Sequence, residues 1–139
     1  MKMVLVTTGN EIKVLDYPTA EAGDYMAELR GFYKTISCDS VECVHPSLLY
    51  EIFDDTEGMI MLVDEMGLIN GKRINPVASF LYGMHHHGQP IVGDVLFVST
   101  EQTFDGVDWV GIEEKRAEKF AKKMRILSDV LEKRKEEAV

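Results

Sequence analysis

The sequence predicts an α+β fold: a mixed or antiparallel sheet of about four to six strands, two short helices and a long C-terminal helix. Three stretches carry that prediction. Met59 to Val63 is an unbroken apolar run, the pattern of a central strand. Ile91 to Val98 is a second strong β stretch, and between the two Asn75-Pro76 opens a short apolar helix that Gly83 closes. Glu113 to Glu137 is amphipathic, with Ala117, Phe120 or Ala121, Met124, Leu127 and Leu131 in the alternation of three and four that marks a helix packed along its length.

At the N-terminus, Met3 to Thr7 is a buried-strand pattern, Gly9-Asn10 a turn, and Ile12, Val14 and Tyr17 a half-exposed second strand, together a hairpin. Pro18-Thr19 then opens a helix. Thr19 is the expected N-cap, Glu21 and Asp24 suit the positive end of the macrodipole, and Ala22, Tyr25, Met26 and Leu29 recur at helical spacing. Gly31 is the expected stop. Phe32 to Cys38 is rich in β-formers, and Val41 to Val44 continues or pairs with it, until His45-Pro46 breaks the ladder. Ser47 to Phe53 reads equally as helix or strand.

After an acidic loop at residues 54–58 comes the Met59–Val63 strand. Asp64-Glu65-Met66-Gly67 reads as a tight turn with Gly67 at positive φ. Asn75 caps the next helix, Pro76 sits where a missing N–H costs nothing, and Val77, Phe80 and Leu81 face the core. Gly93-Asp94 interrupts the second strong strand and hints at a bulge. Thr100 to Gly111 reads as loop, with Phe104 and Trp109 folding back on the core.

The chain has 139 residues and 45% apolar content, which fits one domain able to bury a core without staples. Its charge is uneven. Residues 1–112 hold six Lys/Arg against seventeen Asp/Glu, a net −11, and residues 113–139 hold nine against seven, a net +2. Such a body repels nucleic-acid phosphates and favours basic partners, with solubility alone the simpler reading. Two cysteines make no disulfide scaffold. With eight methionines and no signal-peptide pattern they point to the reducing cytoplasm, and no apolar run is long enough to span a membrane.

The candidate sites are few. Lys72 and Arg73 are the only adjacent basic pair in the acidic body, and they precede Asn75 at a helix N-terminus, where an anion is favoured. With Asp94 they form the candidate ligand-binding set Lys72, Arg73, Asn75 and Asp94. Asp64, Glu65 and Asp94 could bind a divalent ion or act as acid and base. Against that, Asp64 and Asn75 could simply satisfy local backbone. Cys38, Cys43, His45 and His85 to His87 include soft metal ligands, but the Cys-x4-Cys spacing in a β segment does not converge them, and a solvated histidine loop is the simpler reading. No metal or cofactor is therefore expected, and the thiols read as buried and inert. Phe104, Trp109 and Tyr82 are a candidate aromatic wall, with core packing the commoner alternative.

The helix ending Leu29-Arg30-Gly31 before Phe32-Tyr33, the Asp64-Glu65-Met66-Gly67 turn, Asn75-Pro76 with Ala78, and Ile91-Val92-Gly93-Asp94 share an order and spacing. On these, residues 1–98 resemble the domain-of-unknown-function 3846 family, small proteins of phages, plasmids and other mobile elements. The histidine loop and the C-terminal helix lie outside the matched pieces. The resemblance implies a mobile-element context and no activity. The expected function is then a non-enzymatic accessory protein that binds a basic host or element protein through its acidic surface. A homodimer through the C-terminal helix is a further expectation. The alternatives are a small anionic ligand, such as a nucleotide signal, held at Lys72, Arg73 and Asn75, and a metal-dependent hydrolase using Asp64, Glu65, Asp94 and the histidines.

Overall fold

The computed structural model describes residues 1–19, 24–84 and 88–137. In chain order its elements are β1 (Lys2–Val6), β2 (Ile12–Asp16), α1 (Tyr25–Ile36), β3 (Val41–Val44), α2 (Ser47–Ile52), β4 (Ile60–Asp64), α3 (Pro76–Tyr82), β5 (Val95–Thr103), β6 (Gly106–Val110) and α4 (Glu114–Glu137). The strands form one six-stranded sheet in the order β2-β1-β5-β4-β3, with β6 paired to the far half of β5. Every pairing is antiparallel, which settles the choice between a mixed and an antiparallel sheet.

Strand alternation divides the core into two. Val4, Val6, Met61, Val63, Val95 and Phe97 face α2, α3 and α4, where Leu49, Val77, Leu81, Ala117, Phe120, Ala121 and Met124 cover them. Met3, Leu5, Ile60, Leu62, Leu96 and Val98 face the other way, under Phe32 and Ile36 of α1. A strand covered on both faces must be apolar throughout, which is why β4 reads as an unbroken run and is buried along its length. The β1–β2 hairpin, the β4 strand and the Asn75-capped α3 closing on a left-handed Gly83 all follow the sequence expectation.

Helix α1 departs from it. The cap is Asp24, whose carboxylate accepts from the Ala27 N–H at 3.0 Å, rather than Thr19. The expected Glu21 and Ala22 lie outside the described residues. The helix runs through Gly31 to Ile36 and closes on Ser37 in the left-handed conformation, so the expected strand over Phe32–Cys38 is helix as far as Ile36. Phe32 and Ile36 bury fully against the sheet, and that burial overrides their β propensity. Gly31 is there for space: a Cβ would stand 2.7 Å from Cγ of Pro18. Gly31→Ala is therefore expected to destabilise the fold by about 1–3 kcal/mol despite alanine's better helix propensity. Pro18 Cβ would be nearly as close, at 2.9 Å, so adding Pro18→Gly, which removes both atoms, should recover part of that loss in urea unfolding, and a stabilised single variant would reject this account.

Three further expectations are corrected. Gly67 is not among the positive-φ glycines; it is small because a Cβ would meet Val92 Cγ2 at 2.8 Å. The strand expected from Ile91 begins at Val95, because Gly93 has φ +79° and Val92 bridges to Ile74 instead. Residues 100–111 are not a loop. β5 continues to Thr103 and turns through Phe104-Asp105 into β6, so Phe104 stands fully exposed at the hairpin tip instead of folding back.

Helix α4 buries its expected seam through Met124, and Leu127 and Leu131 pack on the same core. Arg125 donates to the carbonyl of Ile12 at 3.1 Å, and the Asn10 amide donates to Glu132 at 2.9 Å. A helix of this length spans about 36 Å, and its contacts with the body continue as far as Glu132.

Candidate functional site

The sequence-selected residues meet where β4 leaves the sheet and β5 enters it. The side chain of Asp64 is buried at the end of β4 and accepts from the Met66 N–H at 2.9 Å. Lys72 Nζ lies 2.7 Å from its Oδ2. The same ammonium donates to the carbonyls of Ile36 at 3.1 Å and Ser37 at 2.7 Å, at the C-terminus of α1 where positive charge is favoured. Lys72 thus joins α1 to β4 from inside.

Asn75 is 0% exposed. Its Nδ2 donates to the carbonyls of Val6 and Gly93, each at 3.0 Å, and its Oδ1 accepts from the Ala78 N–H at 3.1 Å. One side chain therefore ties β1, the entry to β5 and the start of α3. Asp94 accepts from the Thr8 N–H in the β1–β2 turn at 3.0 Å. Of the candidate set Lys72, Arg73, Asn75 and Asp94, only Arg73 has an exposed side chain with no internal partner in the hydrogen-bond and ion-pair network of the described residues.

The acid–base grouping is not brought together. Asp64 is paired with Lys72, Glu65 is exposed, and Asp94 turns to the β1–β2 hairpin. Among the described residues no three His, Cys, Asp or Glu side chains are placed to hold a metal; His85 to His87 lie outside those residues. Cys38 and Cys43 are free and half-buried. Burial pushes both thiols up, helped by Asp64 at Cys38 and by Glu42 at Cys43, which disfavours the reactive thiolate.

The expected aromatic wall also separates. Tyr82 packs on the core under the helices, Phe104 is at the hairpin tip, and Trp109 packs on the opposite core. Trp109 instead joins a different set. Its ring lies 6.2 Å from Phe32, which in turn stands edge-to-face with Tyr17 at 5.6 Å. Tyr25, Glu28, Leu29 and Phe32 of α1, with Val107, Asp108 and Trp109 of β6, line a groove of about 230 Å³.

Outside the lining, the Tyr17 hydroxyl donates to Glu28, with the carbonyl of Trp109 a second acceptor 3.2 Å away. Burial, and then Glu28, push the Tyr17 phenol far up, so it stays a donor and holds the Glu28 carboxylate in place. No cation of the chain pairs with Glu28 among the described residues. Directly across the β5–β6 pairing Glu101 faces Asp108, two like charges that cost stability where they stand. The sequence reading missed this groove because it ended α1 at Gly31 and made residues 100–111 a loop. The signal was present: Tyr25, Leu29, Phe32 and Ile36 continue one helical face.

A family model described as a domain of unknown function (DUF3846) matches residues 1–124. The chain belongs to the DUF3846 family. The DUF3846 match runs past Val98, so the histidine loop and α4 as far as Met124 fall inside it, where the sequence resemblance had stopped short of them. No curated protein and no solved structure matches the chain.

Proposed function

We propose that this DUF3846 protein is a non-enzymatic accessory protein of a phage or mobile element that binds a basic protein partner through its acidic surface. The observation that carries the reading is what becomes of the body's six cations. Lys2 pairs with Asp16 and Glu114, Lys13 with Glu11, and Lys72 with Asp64. Asp55 pairs with Arg116 of α4, and Arg30, Lys34 and Arg73 are the body's remaining cations, against a net charge of −11. The surface of that body attracts cations and repels phosphates.

Two further points support it. Lys72, Asn75 and Asp94 are engaged within the fold, so an anionic ligand there would compete with existing bonds. Both thiols are pushed away from the reactive form. The mobile-element context rests on the family resemblance. Among the described residues no helix is long and apolar enough to cross a membrane.

A deca-lysine peptide tests the electrostatic part. Its affinity, read by calorimetry, should fall at least about tenfold between roughly 50 mM and 500 mM salt, as exposed charges become screened. Salt-independent binding, or none at low salt, would remove the reading.

A further inference from the structure

We infer that the groove between α1 and β6 is a receptor for one arginine side chain of a basic protein partner. The inference rests on the acidic-surface reading and adds to it a place and a chemistry. Three aromatic residues, Tyr25, Phe32 and Trp109, wall the groove, and Leu29 and Val107 complete its apolar lining. Phe32 is fully buried and forms the floor, whereas Tyr25 is 66% exposed and Val107 60% exposed at the rim. An apolar ligand would suit these walls, but the Glu28 carboxylate favours a cation. Glu28 is half-buried in the lining, has no ion-pair partner among the described residues, and is fixed by the Tyr17 hydroxyl through Oε1, which leaves Oε2 for a donor. Asp108 belongs to the lining, but strand alternation turns its side chain, with that of Glu101 opposite it, to the other face of β6 from Trp109, so Glu28 is the carboxylate that the groove presents.

Among the described residues no positive charge offsets this. The lining holds no Lys or Arg. Arg30 and Lys34, the cations of α1, fall on the far side of that helix from Tyr25, Glu28, Leu29 and Phe32 at its residue spacing. A guanidinium satisfies both halves of the site. Its planar face stacks on aromatic rings, and its N–H fork meets a carboxylate, so it is better matched here than an ammonium.

Trp109 is the only tryptophan of the chain and sits in the lining, so its emission reports on this groove. N-acetyl-arginine amide is the probe and its neutral isostere N-acetyl-citrulline amide the control. The expected result is a saturable emission change with the arginine amide at millimolar concentration and none with citrulline. Glu28→Gln, which keeps an acceptor for Tyr17, should weaken the response about fivefold or more. Tyr25→Ala, at an exposed position, is the second variant and should weaken it similarly should Glu28→Gln fail to fold. Equal responses to both amides, or a response untouched by the variants, overturn the inference. Salt-sensitive deca-lysine binding with a silent Trp109 towards arginine amide overturns the arginine site and leaves the acidic-surface reading standing. Loss of both overturns both.

Discussion

Replacing Asn75 with alanine is expected to cost about 3–5 kcal/mol of folding stability, a large part of the total for a chain of this size. The change leaves the Val6 and Gly93 carbonyls without their donor and the Ala78 N–H without its acceptor, at a position with no solvent access. Each orphaned buried group costs about 1–3 kcal/mol, and the lost cap contributes about 1 kcal/mol within that sum. In urea the midpoint should fall while the slope is unchanged. Asn75→Asp sharpens the reading. It keeps the cap acceptor but turns a carboxylate towards two carbonyls, so it should be no better than alanine. A loss under about 1 kcal/mol for either variant would mean that Asn75 does not hold the three elements together.

Lys72→Met should be comparably severe, at about 3–5 kcal/mol, because removing one partner leaves the other as an uncompensated buried charge. The Asp64 side chain is 2% exposed, and the α1 carbonyls at Ile36 and Ser37 lose their donor as well. The decisive comparison is the double variant Asp64→Asn, Lys72→Met. An amide at position 64 can still accept from the Met66 N–H, and no charge is left unpaired. The pair should therefore recover most of the single loss in a double-mutant cycle. Additive losses would show that the ion pair is not what couples α1 to β4.

The sheet was legible in the sequence wherever one physical signal decided it. β4 is apolar on both faces and can only be central; Asn75-Pro76 and Gly83 bracket α3 through cap chemistry that is local. Helix α4 announces itself by spacing over several turns. The failures arose where a local signal was outweighed by a distant contact. Gly31 looks like a helix stop, and only Pro18 packed against it explains a glycine inside a helix. Gly67 looks like a left-handed turn residue, and only the approach of Val92 explains it. The fate of Lys72, Asn75 and Asp94 was half-legible. Cap and turn bonds were foreseeable, but the partners Val6, Ile36 and Thr8 come from remote parts of the chain. The α1–β6 groove is legible only once both of its walls are assigned correctly.

The order in which the sheet is assembled has a consequence for synthesis on the ribosome. β1 is made before β5, yet β5 is its second sheet neighbour beside β2 and part of its cover is α4. The nascent hairpin must therefore wait, with one side unshielded, until β5 and α4 as far as Met124 have left the exit tunnel. Closure of such remote pairings is slow and leaves sticky surface open to chaperones in the interval. A chain stopped before Ala117 would lack the lid formed by Phe120, Ala121 and Met124, and would be cleared by proteases rather than accumulate.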